Sequence, residues 1–318
     1  MFLSCGDSLF DLFVGDQIDP NIKDPAGTFV SLSGNVGGSP MNVAFGLARL
    51  GHKSRYFTNL SSDVFGQRLR KFLQFNEVDI SLCPDTDLNT TLAIVEKASD
   101  GSARYVFYTD NSADVSITQN DLPAQLPSDI RVLHFGSYST AVEPTASTLA
   151  SFAKRESGSR FISYDPNLRT SIEPDIDRWR ETFKAYSSSA NLVKASDEDI
   201  EELFVMNSED KFISDCLDAG AELVFITRGG DGSSGFTKDG SRVDSKGVSV
   251  NVVDTVGAGD TFQASLLHWL ESNNHVSENG TLQSTPDIAA MMDFATRAAA
   301  ITCTRAGADL PRLEEIQN

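Results

Sequence analysis

Short apolar runs recur along this chain, at Phe2 to Cys5, Arg55 to Leu60, Val132 to Phe135, Phe161 to Tyr164, Asn191 to Ala195 and Leu223 to Thr227. Most are followed by a polar or glycine turn and then by a helical pattern. Strands alternating with helices predict a parallel sheet covered on both faces. The expected fold class is therefore α/β, a doubly wound, mostly parallel sheet, in one main domain over residues 1–318 with a small appendage. Ligands of such sheets bind beyond the carboxyl ends of the strands. Asp7, Gly136, Asp165, Lys194 and Thr227 all fall there.

Two segments break the rhythm. Leu92 to Ala98 and Arg104 to Tyr108 flank Ser99-Asp100-Gly101-Ser102, and Asp-Gly is a strong hairpin signal. Asp11 to Ser33, with Pro20, Pro25 and Gly27, also reads as strands and turns. Together, insertions at about 11–33 and 90–109 predict a small β-sheet outside the main fold. Between them Ser39 reads as an N-cap, Pro40 suits the first helical position and Gly51 ends the helix, so Asn42 lies in its first turn beside Gly37-Gly38.

Near the C-terminus Val248, Val250 and Val252 alternate like a strand, while Phe262, Leu266, Trp269 and Leu270 fall at helical spacing. Asp254-Thr255-Val256-Gly257-Ala258-Gly259-Asp260 links them. Gly257 and Gly259 allow positive φ and close approach, and the helix start offers amides to an anion. A carboxylate there repels a resting phosphate but is placed to take a proton from a hydroxyl attacking it. Most acids in a first helical turn only favour the dipole; the flanking glycines tip the reading of Asp260 towards chemistry.

Composition narrows the partners. Of 318 residues, 40% are hydrophobic and 22% charged, a globular balance, and the net charge of −19 opposes binding to nucleic acid. A small anion such as a nucleotide remains compatible with local cations. Cys5, Cys83, Cys216 and Cys303 lack metal or redox spacing. The start of the chain shows neither a basic leader nor a long apolar stretch, which leads us to expect a cytoplasmic protein with no membrane partner. No Walker loop is present, and Gly230-Asp231-Gly232-Ser233-Ser234-Gly235 is followed by a strand pattern rather than the helix a dinucleotide site needs. His52, His134, His268 and His275 lack metal spacing and read as structural.

Asp254 to Asp260, with Gly37-Gly38-Ser39-Pro40-Met41-Asn42-Val43-Ala44 upstream, resembles the paired motifs of the ribokinase-like (PfkB-type) carbohydrate kinases, and the similarity runs from Gly6-Asp7 to Arg305-Ala306-Gly307. The resemblance implies a ribokinase-like sheet with a β-sheet lid that closes over a sugar and helps form homodimers. It implies ATP as phosphate donor, with Mg2+, and K+ as a candidate activator. Asp260 becomes the base, with Gly257, Ala258, Gly259 and Arg169 at the transfer point. Asp11, Gly37, Gly38, Asn42, Tyr105, Phe107 and Asn167 become sugar-facing; Lys194, Thr227, Gly229, Gly232, Gly257 and Gly259 become nucleotide-facing. Asp199 matches a position that helps organise magnesium through water, and Asp254 and Val256 match a monovalent-cation loop.

Asp165-Pro166-Asn167-Leu168-Arg169 is similar to fructokinases and 2-keto-3-deoxygluconate kinases rather than ribokinases. The chain departs from them at Thr109, where an arginine is expected after Phe107-Tyr108, and lacks a glycine before Asp63. Loss of that arginine disfavours a sugar acid relative to a neutral sugar such as fructose. The competing readings are a kinase for another small sugar, a catalytically silent sugar or nucleotide sensor, and an NAD-dependent dehydrogenase.

Overall fold

The computed structural model describes residues 1–15, 30–97, 103–204 and 208–317. The turns of the two expected lid hairpins fall outside the described residues. The chain begins with β1 (Phe2–Cys5), β2 (Leu9–Gly15), β3 (Ser31–Gly37), α1 (Ser39–Arg49), β4 (Ser54–Phe57) and β5 (Leu60–Ser61). Next come α2 (Val64–Phe75), β6 (Val78–Asp79), β7 (Asp85–Thr86), β8 (Thr91–Lys97), β9 (Ala103–Tyr108), β10 (Val132–Gly136) and α3 (Thr145–Glu156). Then follow β11 (Phe161–Asp165), α4 (Ile176–Ser187), β12 (Leu192–Ser196), α5 (Asp197–Leu203), α6 (Ser208–Ala219) and β13 (Leu223–Thr227). The chain closes with β14 (Ser233–Thr237), β15 (Arg242–Ser245), α7 (Ala258–Ser272), α8 (Ile288–Cys303) and α9 (Leu313–Gln317).

The large sheet runs β15-β14-β13-β12-β11-β10-β1-β4-β6, parallel except where β14 and β15 turn back antiparallel at one edge. Its central strands are buried on both faces, which is why they appear in the sequence as unbroken apolar runs rather than alternating ones. One face packs on α3 to α6 through Phe152, Trp179, Tyr186, Ile200 and Phe212. The other packs on α1, α7 and α8 through Val43, Leu47, Leu266, Met291 and Ala295.

From β1 the chain winds out to β4 and β6, then returns to β10 and winds the other way. The switch point therefore lies between β1 and β10, and the crevice beyond their carboxyl ends is the expected ligand position.

The small sheet has the order β3-β2-β8-β9. Phe10, Leu12 and Ile94 put one of its faces onto α1 and α2, beside Phe45, Leu69 and Leu73. The alternate residues Asp11, Asn35, Ala93 and Phe107 are register partners on the opposite face. Asp63 ties the root of this sheet to the body. Its carboxylate caps α2 through the Gly66 N–H at 2.7 Å and accepts the Thr90 N–H at 2.8 Å, next to β8.

Two local expectations fail. Val248 to Val252 is not a strand: beyond β15 no neighbouring strand is available to it among the described residues, and Val252 is 58% exposed. Alternation alone supplies a face, not a hydrogen-bonding partner. Ser39 is not the N-cap of α1. That place belongs to Gly38, at φ 114°, and the Ser39 hydroxyl goes elsewhere.

Candidate active site

Two helix starts meet at the sheet's carboxyl edge. Gly257, at φ 80°, is the N-cap of α7, and a methyl there would sit 2.7 Å from Ala308 Cβ. Ala258 donates its N–H to Thr255 O; Gly259 and Asp260, next in the first turn, have no acceptor within the helix and are free to face an anion. Thr261 locks this turn by donating both its N–H and its hydroxyl to Gly257 O, each at 2.8 Å.

Asp260 is 7% exposed, and both its oxygens are engaged by the first turn of α1. Ser39 Oγ donates to Oδ1 at 2.6 Å and Asn42 Nδ2 donates to Oδ2 at 2.8 Å. Gly38 fixes that first turn: a side chain on it would meet Asp7 O at 2.5 Å. At Gly37 a methyl would lie 2.6 Å from Asp11 Oδ2, so the glycine pair brings the lid carboxylate close to the helix start. The α7 turn and the first turn of α1 singled out Asp260 and Asn42, and the family resemblance added Gly37 and Gly38; Ser39 escaped because its type suits a cap and its partner lies 221 positions away.

Asp11, Tyr105 and Arg169 form the opposite wall. Burial raises the Asp11 carboxyl to about 6, with Arg169 opposing and Asp254 assisting. Burial likewise raises the Tyr105 hydroxyl, which feels Asp11, Arg169 and Asp254. Tyr105 and Phe107 stack, with ring centroids 5.9 Å apart. Arg169 is half-buried, donates to Leu168 O at 2.7 Å, and has no carboxylate partner among the described residues. Asn167, just before it, holds a φ of 40°, a left-handed conformation that asparagine tolerates and that turns the chain sharply at the strand end.

Asp254 closes the loop below. Its Oδ1 accepts the Val256 N–H at 3.1 Å and its Oδ2 the Gly307 N–H at 2.8 Å, joining the signature to the C-terminal loop.

Two side chains stand differently from expectation. Lys194 does not line an open nucleotide face: it is 4% exposed, and its ammonium donates to Asp165 Oδ2 at 2.6 Å. It lies beneath α7, with Nζ 3.2 Å from where a Gly259 Cβ would be. Burial presses its ammonium down, but Asp165, Asp199 and Asp260 together hold it above its ordinary value. Asp199, the residue expected to organise magnesium through water, has both its oxygens engaged by backbone donors. Its Oδ1 accepts the Leu168 N–H at 2.7 Å, and its Oδ2 accepts Ser196 N–H at 2.9 Å in a capping box at the start of α5. Thr227 and Gly229 follow β13 at the sheet edge, where a side chain on Gly229 would meet open space. Gly232, by contrast, is required by packing, since a methyl there would lie 2.0 Å from Ser245 O.

Below the switch point, Asp7 is buried with Oδ2 unpartnered among the described residues; Asp114 nearby accepts from Thr91 Oγ1 at 2.6 Å and from the Tyr138 hydroxyl. Burial and then the Asp114 charge push the Asp7 carboxyl up to about 7.

The comparisons with known proteins can now be set beside this geometry. A family model described as pfkB family carbohydrate kinase matches residues 10–315. The chain belongs to that family. It is 37% identical over 277 residues to a fructokinase of Rhizobium leguminosarum bv. trifolii, covering 86% of this chain and 81% of that one. It is 32% identical to fructokinase-2 of Zea mays, covering 95% of this chain and 90% of the other. An uncharacterised sugar kinase of Pyrococcus horikoshii, solved in complex with ATP, superposes with a TM-score of 0.82 at 27% identity, covering 99% and 96% of the two chains. A fructokinase of Xylella fastidiosa with bound ATP shares the fold with a TM-score of 0.83 at 24% identity and the same coverage. No helix among the described residues is long and apolar enough to cross a membrane.

The buried Asp7 generates a stability prediction. Its folded value of about 7 exceeds the ordinary 3.8, so its contribution to stability is intact below pH 4 and is lost as pH rises towards and through 7. Asp7→Asn should therefore gain stability over the parent at pH 8 but not at pH 4.5, read as a rise of about 1.5 °C in Tm at the higher pH for each kcal/mol regained. Equal Tm differences at both pH values would remove Asp7 as the titrating group.

Proposed function

We propose that the protein is an ATP-dependent fructokinase, transferring the γ-phosphate of ATP to a primary hydroxyl of the free ketose. The observation that carries the reading is the buried carboxylate of Asp260 at the amide-lined start of α7, held by side chains from the turn after the glycine pair. The identity to fructokinases over most of the chain supports fructose as acceptor. The absence of an arginine at Thr109 favours a neutral sugar over a sugar acid.

In this reading Asp11, Asn42, Asn167 and Arg169 orient the sugar, with the Tyr105–Phe107 pair as an apolar wall. The attacking hydroxyl gives its proton to Asp260, and the Gly259 and Asp260 amides stabilise charge developing on the transferred phosphoryl group. Lys194 adds positive charge from beneath Gly259. Gly229 and Thr227 border the nucleotide. When bound with the nucleotide, magnesium would supply charge neutralisation for the donor phosphates. Asp254 ties the loop at Val256 to the loop at Gly307 through its two oxygens, and carbonyls of these loops would supply the oxygen donors a monovalent cation needs. Closure of the small sheet excludes water from the transfer. Its exposed Leu32, Val106 and Tyr108 support pairing of two lids in a homodimer.

The test is an ADP-release screen with magnesium and ATP across fructose, ribose, 2-keto-3-deoxygluconate and adenosine. Fructose should give the highest kcat/KM, and ADP release with none of them would leave a silent binding protein. Asp260→Asn should lower turnover by about 10²–10⁴-fold while nucleotide binding and Tm hold. Exchanging potassium for sodium at fixed ionic strength should lower kcat, and equal rates in the two salts would remove the cation from the loop at Asp254.

A further inference from the structure

A carboxylate in the third position of a helix has a ready local partner, the backbone N–H of the N-cap residue. This chain shows that outcome in α5, where Asp199 reaches back to the Ser196 N–H at 2.9 Å. Asp260 occupies the corresponding position of α7, three residues after Gly257, yet it does not reach back. Instead Ser39 Oγ holds Oδ1 at 2.6 Å and Asn42 Nδ2 holds Oδ2 at 2.8 Å. Had Asp260 folded back to the Gly257 N–H, its carboxylate would have turned away from the sugar.

The Ser39 anchor is itself rigid. Ser39 is 6% exposed and is the first residue of α1, whose N-cap Gly38 is pressed against Asp7 O. Pro40 O accepts Ser4 Oγ at 2.6 Å from the end of β1, and Asn42 N–H returns to Gly38 O at 2.8 Å. Among the described residues the Ser39 hydroxyl is bonded to the Asp260 carboxylate and to nothing in its own helix.

We propose that Ser39 is a positioning residue for phosphoryl transfer, whose hydroxyl keeps Asp260 from capping its own helix and so holds the base towards substrate. This rests on Asp260 being the base. Asn42 serves the same clamp but also lies in the sugar-facing set, so Ser39 is where the clamp separates from substrate binding.

Ser39→Ala should lower kcat about tenfold or more, as expected for loss of one charge-assisted bond, with KM for fructose and Tm close to the parent. Ser39→Thr, which keeps the hydroxyl, should recover most of the rate, and a crystal structure of Ser39→Ala should show Asp260 turned towards the Gly257 N–H. A kcat within twofold of the parent would overturn the proposal. So would an unchanged Asp260 rotamer, or a loss confined to KM. Asp260→Asn separates the two readings: if it is inactive while Ser39→Ala is normal, only the clamp fails; if it retains full turnover, the base assignment fails and the clamp with it.

Discussion

The contact between the starts of α1 and α7 organises this molecule. Neither helix start is remarkable alone: one carries a glycine pair and two small polar side chains, the other two glycines and an aspartate. Brought together across the sheet edge, Ser39 and Asn42 hold Asp260 by both oxygens, and the carboxylate stands within an amide-lined turn without consuming its amides. The helices that carry these turns pack on the same face of the sheet through Val43, Leu47 and Leu266, so the geometry of the site is set by the apolar core beneath it.

Charge is distributed around this contact in a way that the net value of −19 conceals. Asp7, Asp114, Asp165 and Asp260 are all buried near the carboxyl ends of the central strands. Among the described residues Lys194 lies beneath the start of α7, and Arg169 stands close enough to Asp7 and Asp11 to act on their carboxyls. A strongly acidic protein can thus receive a polyphosphate, because local amides and two cations act at short range while the wider field is screened.

The small sheet brings a second layer of constraint. Its apolar face is part of a core shared with α1 and α2, and its polar face presents Asp11 beside Gly37. The root at Asp63 holds β8 to the start of α2 through Thr90. Movement of the lid over the site would therefore occur about a root fixed by hydrogen bonds, with the glycine pair as the nearest neighbour of its carboxylate.

Much of this was written in the order of residues. Central parallel strands are buried on both faces, so they must be apolar throughout and are legible as short runs; the antiparallel pairing of β8 with β9 was announced by the Asp-Gly pair that separates them in the sequence; and Asp254 to Asp260 could be recognised because a strained, amide-rich turn admits few residue types. What adjacency could not supply was partnership. Val248 to Val252 alternate like a strand but meet no strand to pair with. Lys194 and Asp199 have the chemistry of ligands, yet folding gives one to Asp165 and the other to its own helix start. Ser39 looked like a cap and became an anchor for a residue 221 positions away. The sequence by itself determined which backbone segments form strands, helices and the glycine turns, because those depend on local sterics and the burial of neighbours. Only the tertiary structure decided which polar side chains remain free for substrate, because that depends on which donors and acceptors from distant segments reach them first.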